Sequence, residues 1–148
     1  MKRLMKKLSK QTFPSSRMRR LRNTESIRKM IRETSLSPEN LIQPIFIVDG
    51  KNKMEKIPSL PGIYRYSVDN LFKEIKKLIS LCILGIALFP KIANSKKSLT
   101  ADESFNQKGL IQTCIEKVKS KYPDLIVISD VALDPYTTHG QDGIIDSE

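Results

Sequence analysis

The sequence has few of the residues on which small disulfide or metal scaffolds depend. It contains no tryptophan, two cysteines and one histidine among 148 residues. Cys82 and Cys114 are too few for a disulfide framework or a cysteine-rich zinc module, and both fit a reduced compartment as small buried residues. No apolar run reaches the ~18 residues of a membrane-spanning helix, because Ser80 and Gly85 interrupt the longest one. These absences leave an ordinary globular core, with no membrane partner expected, and the 39% hydrophobic content supports it.

The positive charge of the chain is concentrated at one end. The net charge is +10, but residues 1–32 hold 12 bases and one acid, whereas residues 33–148 hold 14 bases and 15 acids. The sequence therefore predicts a basic N-terminal arm with a short helix, residues 1–34, and a nearly neutral body, residues 35–148. Such an arm can bind nucleic acid, an anionic membrane or an acidic subunit. Phe13 is its one aromatic residue, so we expect no nucleic-acid partner.

The first 24 residues also have the composition of a targeting peptide. They are basic, lack acids and contain Ser9, Ser15 and Ser16, which is typical of transit peptides. No apolar segment follows them, and this excludes a secretory signal. We expect a cytoplasmic protein, with a cleaved organelle-targeting peptide as the alternative.

Apolar periodicity predicts buried strands that alternate with amphipathic helices. Continuous apolar runs, typical of buried parallel strands, occur at 41–48, 83–89 and 125–128. Between them, apolar residues recur at helical spacing after Ser67, a predicted N-cap, and again over 110–118. This order predicts an α/β fold with a parallel sheet, whose functional groups lie at the carboxyl ends of the strands.

The remaining segments are less regular. Asn23 or Thr24 is predicted to cap a short helix that runs to about Glu33. Residues 51–66 are predicted to be a long connection. Pro44 lies inside the first apolar run, so it should occupy a place near the start of the strand or an interrupted ladder position.

Residues 130–143 hold the densest group of chemically useful side chains. Three carboxylates, the single histidine (His139) and two glycines follow directly on the third predicted strand. Asp130 and Asp134 would lie at the end of the strand, and Asp142 can fold back through the glycine-containing turn. Such oxygen ligands suit Mg²⁺ better than Zn²⁺. From spacing alone, the other interpretation is a polar loop with Asx turns around a histidine satisfied in the core.

Four blocks of the sequence, in the same order, resemble the N-terminal part of the 5-aminolevulinate dehydratase (porphobilinogen synthase) family. They are Arg19-Arg20-Leu21-Arg22, Ser59-Leu60-Pro61-Gly62-Ile63-Tyr64-Arg65, Ala87-Leu88-Phe89-Pro90, and Asp130 to Gly143. The resemblance implies a partial (β/α)8 TIM barrel, about the first three strands, preceded by an arm that wraps a neighbouring subunit. It also implies the condensation of two 5-aminolevulinate molecules to porphobilinogen, with release of water, in tetrapyrrole and haem biosynthesis.

The resemblance implies roles for several residues of the acidic loop. Asp130 matches an active-site carboxylate that lies near a substrate amino group. Zinc-type members carry three cysteines where this sequence has Ala132, Asp134 and Asp142, so the chain resembles the aspartate-rich, magnesium-responsive class. We therefore expect no zinc, and a weak Mg²⁺ site at Asp134 and Asp142, with the principal Mg²⁺ site of the family outside this chain. His139 is expected to orient the loop by hydrogen bonding.

The resemblance also implies which parts of the family's machinery the 148 residues lack. Two lysines that form Schiff bases with the substrates belong to later strands, beyond Glu148, and Lys91 is not expected to replace them. The chain is expected to be a truncated form that is inactive alone. The alternative is a non-catalytic partner that docks its arm on a full-length synthase. Four arm residues are expected to pair with acids of a neighbouring barrel in a homo-oligomer, octameric in the family: Arg17, Arg19, Arg20 and Arg22.

Overall fold

The fold is known from a computed structural model that describes residues 19–144. The chain divides into two compact units between Leu36 and Ser37, two residues beyond the boundary expected from the sequence. Among the described residues, no helix combines the length and apolar character needed to cross a membrane.

The described part of the first unit contains a 3-10 turn and a short helix. The turn is Arg20–Arg22, and the helix, α1, is Glu25–Met30. The backbone N–H of Ile27 donates to the Thr24 hydroxyl at 3.2 Å, which confirms one of the two predicted caps. The helix ends earlier than predicted, and none of its side chains is buried.

The second unit is built on a five-stranded sheet. The strands are β1 (Ile42–Val48), β2 (Met54–Lys56), β3 (Tyr64–Tyr66), β4 (Gly85–Lys91) and β5 (Ile126–Ser129). Their order in the sheet is β2-β3-β1-β4-β5. Strands β1, β4 and β5 are parallel neighbours, with Ile45 opposite Leu88 and Ala87 opposite Ile128. The three predicted parallel strands are therefore confirmed.

The segment predicted as a plain connection, 51–66, contains two further strands. Strand β2 pairs antiparallel with β3, and β3 lies parallel to the end of β1, where it pairs with Phe46 and Ile47. Pro44 is the third residue of β1 and faces β4 alone, because β3 reaches only the later residues of that strand. Because proline has no backbone N–H to donate to a neighbouring strand, Pro44 fits this position near the start of β1. Strand β4 continues beyond the predicted run 83–89 and includes Pro90.

Two helices cover one face of the sheet. They are α2 (Val68–Ser80) and α3 (Leu110–Lys121). Their apolar stripes and alternate residues of the strands form one core, made of Ile45, Ile47, Leu71, Ile75, Leu78, Ile86, Leu88, Ile111, Cys114, Val118 and Leu125. Placing both crossover helices on the same face gives the sheet one packed side and one open side.

The open side carries apolar residues that no described element covers. The rings of Phe46 and Phe89 stack there with their centroids 5.7 Å apart. On β5, Ile126 is 59% exposed and Ile128 is 40% exposed. The prediction that the third strand is buried is therefore wrong for this face. Its apolar run fits a strand that is covered on both faces, and the described residues cover only one.

The N-cap of α2 forms in a way that the sequence does not reveal. Ser67 precedes the helix as predicted, but its hydroxyl makes no capping bond to the helix backbone. It accepts instead from the N–H of Lys53 at 2.8 Å. The Asp69 carboxylate accepts from the N–H of Asn52 at 2.8 Å. Both side chains thus hold the segment before β2 against the start of the helix.

The end of α2 is a Schellman turn with an unfavourable residue at its left-handed position. The N–H of Cys82 donates to the carbonyl of Ile79, and the N–H of Ile83 donates to the carbonyl of Leu78, both at 3.0 Å. Cys82 has a φ of 60°, a conformation in which a Cβ atom is strained and glycine is preferred.

Replacing Cys82 by glycine is expected to stabilise the protein. The change relieves the strained Cβ of an exposed residue, and the gain exceeds the added freedom of the unfolded chain. We expect Cys82→Gly to raise the free energy of unfolding by about 0.5–1 kcal/mol, measured by urea denaturation. Cys82→Ala, which keeps the Cβ, is the control and should change little. A glycine variant no more stable than the alanine variant would contradict this account.

Candidate active site

The acidic loop, residues 130–143, lies at the carboxyl edge of the parallel strands. Strands β1, β4 and β5 end there at Val48, Lys91 and Ser129. Asp130 follows β5 directly and is exposed. The polar residues that follow these strands therefore lie at one edge of the sheet. That this edge carries the functional groups stays a prediction.

Asp130 is held by a local turn at the beginning of the acidic loop. Its Oδ1 accepts a hydrogen bond from the N–H of Ala132 at 3.2 Å, which makes an Asx turn. The residue also borders a cleft of about 310 Å³ between the loop and α3. Asx turns were part of the alternative interpretation of this loop, and here one turn fixes the backbone that carries the carboxylate.

Asp142 folds back onto the start of the acidic loop, as predicted. Its Oδ1 accepts from the N–H of Leu133 at 2.7 Å and from the N–H of Asp134 at 2.9 Å. Gly140 makes the return possible, because its φ of 70° is a left-handed conformation that glycine adopts without strain. Asp134 and Asp142 are thereby brought together, and within residues 19–144 the carboxylate of Asp134 has no hydrogen-bond partner.

Thr137 is a buried polar residue at the centre of the acidic loop. It is 3% exposed. Its hydroxyl donates to the carbonyl of Gln141 at 2.9 Å and accepts from the N–H of the same residue at 3.1 Å. A further contact at 3.3 Å reaches the carbonyl of Asp134. Sequence reasoning missed this residue, since a threonine in a polar loop carries no signal of burial.

The acidic loop is braced by the segment that follows β4. The N–H of Ser98 donates to the Tyr136 carbonyl, and the N–H of Thr138 donates to the Ser98 carbonyl, both at 3.1 Å. Tyr136 packs with Ile92 and Ala101 in a small second core. This second core was not predicted, because its members come from two loops that no periodic pattern connects.

Removing the Thr137 hydroxyl is expected to loosen the acidic loop. Thr137→Val keeps the shape of the side chain but leaves the N–H and the carbonyl of Gln141 without the buried hydroxyl that binds them. We expect a loss of about 1–3 kcal/mol in the free energy of unfolding and faster amide exchange over residues 133–142. Thr137→Ser keeps the hydroxyl and is the control. Equal amide exchange in the two variants would show that the hydrogen bonds do not hold the loop.

His139 lies on the surface of the acidic loop. It is exposed, so the interpretation as a histidine satisfied in the core is wrong. The hydrogen bonds that shape the described loop come from Asp142 and Thr137. A hydrogen-bonding role for His139 stays a prediction.

The lysine nearest to a strand's carboxyl end is engaged in an ion pair. Lys91, the last residue of β4, lies with its Nζ 2.8 Å from Oε2 of Glu55, and half of its side chain is exposed. The same contact lowers the pKa of Glu55. A solvent-exposed, paired lysine lacks the desolvated pocket that a Schiff-base nucleophile needs.

The two thiols lie away from the acidic loop. Cys114 is a buried core residue of α3, and burial raises the pKa of its thiol to about 12. Cys82 is exposed beyond the C-terminal end of α2. Over residues 19–144, no three histidine, cysteine, aspartate or glutamate side chains converge closely enough to hold a metal ion. The acidic loop itself offers three carboxylates and the imidazole of His139.

The arm arginines are only partly within the described residues. Arg17 lies outside them. Arg19, Arg20 and Arg22 are exposed, and the carbonyl of Arg22 accepts from the guanidinium of Arg28 at 2.9 Å. Their predicted pairing with acids of a neighbouring subunit stays a prediction.

Comparison with known proteins links this arrangement to one family. The family model for delta-aminolevulinic acid dehydratase matches residues 15–148. The chain belongs to that family. Among its relatives, a delta-aminolevulinic acid dehydratase of Chlamydia pneumoniae is 47% identical over 130 residues, which are 88% of this chain and 39% of the relative. A chloroplastic one of Glycine max is 42% identical, over 87% of this chain and 31% of the relative.

A solved structure shares the fold. The delta-aminolevulinic acid dehydratase (porphobilinogen synthase) of Toxoplasma gondii ME49, in complex with the product porphobilinogen, superimposes with a TM-score of 0.82 at 39% identity. The match covers 89% of this chain and 37% of that one. The predicted fold class, part of a (β/α)8 barrel, is thus confirmed. The chain spans between about a third and two fifths of the length of these three dehydratases.

Proposed function

We propose that residues 37–144 supply the opening part of a porphobilinogen synthase barrel, and that the whole protein condenses two 5-aminolevulinate molecules to porphobilinogen. One observation carries this proposal. The acidic loop is folded into a defined shape by Asp142 and Thr137 at the carboxyl edge of parallel strands. That edge is where barrel enzymes place their reacting groups. The likeness to a structure that holds porphobilinogen supports the choice of reaction.

Asp130 is the residue of this chain that we assign to the substrate. Its carboxylate lies one residue beyond β5, and the Asx turn to Ala132 uses only Oδ1. The other oxygen can accept a charge-assisted hydrogen bond from the amino group of 5-aminolevulinate. Holding that group would orient one substrate for the condensation.

The nucleophilic lysines of the reaction come, in this proposal, from the part of the barrel that the 148 residues do not include. Lys91 is paired with Glu55 and half exposed, so it lacks the desolvated pocket in which a Schiff-base lysine becomes nucleophilic. The chain by itself should therefore form no porphobilinogen.

Magnesium fits the donors of the acidic loop better than zinc does. The free carboxylate of Asp134 and the remaining oxygen of Asp142 are hard ligands, and neither thiol of the chain lies in the loop. Two carboxylates are few, so the ion would keep several waters and bind weakly. When bound it would supply positive charge beside the loop. The principal Mg²⁺ site would belong to another part of the whole protein.

Paramagnetic Mn²⁺, used in place of Mg²⁺, tests the weak site. We expect Mn²⁺ to broaden the amide resonances of residues 133–142, and the double change Asp134→Asn with Asp142→Asn to weaken this effect about tenfold. The amide oxygen that the second change introduces can still accept the two backbone hydrogen bonds, so the loop should keep its shape. Asp124→Asn, at the other end of β5, is the control. Unchanged broadening in the double variant would refute the site.

The basic arm is the part of the chain proposed to contact a neighbouring subunit. It is also the basis of the alternative function, a non-catalytic partner of a full-length synthase. Helix α1 and the residues around it expose Leu21 (62%), Met30 (81%) and Ile31 (39%) within their own unit. Exposed apolar residues close in sequence to exposed arginines are suited to a neighbouring barrel with acidic residues, in a homo-oligomer or on a full-length synthase. Co-elution of the chain with an intact synthase, lost in Leu21→Asp with Met30→Asp, would favour the non-catalytic partner.

We propose that the protein works in the cytoplasm. The relatives include chloroplastic plant proteins and a bacterial one, so an organelle-targeting peptide is the competing possibility. Its place would be the first 24 residues, of which 1–18 lie outside the described part of the chain. Sequencing the N-terminus of the protein from its natural source distinguishes the two, because a cleaved peptide would be missing.

A fusion protein tests the proposed function. In it, the 148 residues replace the matched segment of the Chlamydia pneumoniae dehydratase and are followed by the rest of that relative. We expect the fusion to form porphobilinogen from 5-aminolevulinate and the isolated chain to form none. A folded fusion without activity, or an active isolated chain, would contradict the proposal.

A further inference from the structure

A cleft on the helix-covered side of the sheet has a chemistry that the proposed condensation does not use. It has a volume of about 650 Å³ and lies between the end of β1, the first turn of α2 and the first turns of α3. None of the three aspartates of the acidic loop lines it. Its size is within the range of pockets that bind small molecules.

The cleft concentrates positive charge on a body that is nearly neutral. Four lysines line it: Lys51, Lys96, Lys108 and Lys117. Of these, Lys96 is paired with Asp49, at 3.3 Å, and with Glu103, at 3.5 Å. The other three make no ion pair among the described residues. Four lysines against two aspartates, Asp49 and Asp69, leave an excess of positive charge around one cavity, and this excess attracts an anion.

The two acids that line the cleft, Asp49 and Asp69, do not cancel its positive charge. Asp49 holds Lys96, and Asp69 accepts the N–H of Asn52 at 2.8 Å. Neither forms an ion pair with Lys51, Lys108 or Lys117. A bound anion would meet an excess of positive charge and little competition from the cleft's own carboxylates.

Part of the lining of the cleft is apolar. It comes from Val48, Val68, Phe72 and Leu110. A bare inorganic ion would leave this surface in contact with water, whereas a ligand with an anionic group and an apolar body would cover both kinds of surface. All the bases are lysines, which bind phosphate as point charges, and no arginine fork is present to select a planar carboxylate.

We propose that this cleft binds a small phosphate-bearing molecule, with the phosphate among Lys51, Lys108 and Lys117 and an apolar portion against Phe72 and Leu110. The site lies at the same edge of the sheet as the acidic loop, on the side packed by the helices. It is independent of the proposed condensation and of the residues assigned to it.

Phenyl phosphate is the probe for this site, because it joins a phosphate to a small apolar ring. We would titrate the full chain at constant ionic strength and follow amide resonances by NMR, with inorganic phosphate and benzoate as comparison ligands. We expect saturable shifts at Gly50 and Gly109, and tighter binding of phenyl phosphate than of either comparison ligand. Tighter binding of benzoate would overturn the choice of phosphate.

Charge-matched variants separate the site from general electrostatics. Lys51→Gln with Lys108→Gln and Lys117→Gln should weaken phenyl phosphate binding about tenfold. The control, Lys56→Gln with Lys73→Gln and Lys76→Gln, removes the same charge from exposed lysines outside the cleft and should change binding less than about twofold. Equal weakening in both variants, shifts confined to the basic arm, or no saturable binding would each overturn the proposal. If the triple variant fails to fold, Lys108→Gln alone should still weaken binding more than Lys76→Gln.

Discussion

Replacing Asp130 by asparagine in the fusion protein is expected to lower kcat for porphobilinogen formation about a hundredfold or more. The substitution keeps the size of the side chain and the acceptor that makes the Asx turn with Ala132. It removes the negative charge that, in our proposal, holds the amino group of a substrate. The expected loss is in catalysis, with the fold unchanged. The measurement is the initial rate of product formation over a range of 5-aminolevulinate concentrations.

Asp124→Asn is the matched control for this prediction. Asp124 is also exposed, and it lies just before the first residue of β5, whereas Asp130 lies just after the last. The substitution therefore removes the same charge at the end of the strand remote from the acidic loop. We expect its kcat to stay within about twofold of the parent fusion. Two variants with the same activity would remove Asp130 from the proposed mechanism.

Replacing Leu71 by alanine is expected to destabilise the chain by about 3 kcal/mol. Leu71 is fully buried in α2, among the strand residues of the main core. The substitution removes three carbon atoms from a site where neighbouring side chains are held by the sheet, so it leaves a cavity. Urea denaturation of the full chain measures the loss as a lower midpoint at an unchanged slope.

Leu81→Ala is the control for the core. Leu81 is 52% exposed at the end of the same helix, and its truncation should cost less than about 0.5 kcal/mol. Similar losses in the two variants would mean that α2 does not pack on the sheet as described.

The parallel part of the sheet could be predicted because its signal is local. A run such as Ile45 to Val48 is apolar at consecutive positions, which is typical of a buried parallel strand. Strands β2 and β3 could not be predicted in the same way. Each has three residues of mixed polarity, and their pairing depends on a partner strand rather than on their own composition.

The acidic loop shows the same division between local and distant information. The return of Asp142 could be predicted, since Gly140 marks a turn inside a short acidic segment. The burial of Thr137 and Tyr136 could not, because it depends on Ser98 and Ala101, which come from a loop far earlier in the chain. The exposure of β5 likewise depends on whether another element packs against its open face. The residues of the strand do not indicate whether such an element is present.

The most direct test of the account is the distance between Asp130 and the product in a crystal structure of the active fusion with porphobilinogen bound. The account predicts that a carboxylate oxygen of Asp130 lies within about 3.5 Å of the amino nitrogen of the product, at the carboxyl edge of the parallel strands. An Asp130 carboxylate that remains in the cleft beside α3, out of hydrogen-bonding reach of the product, would contradict it.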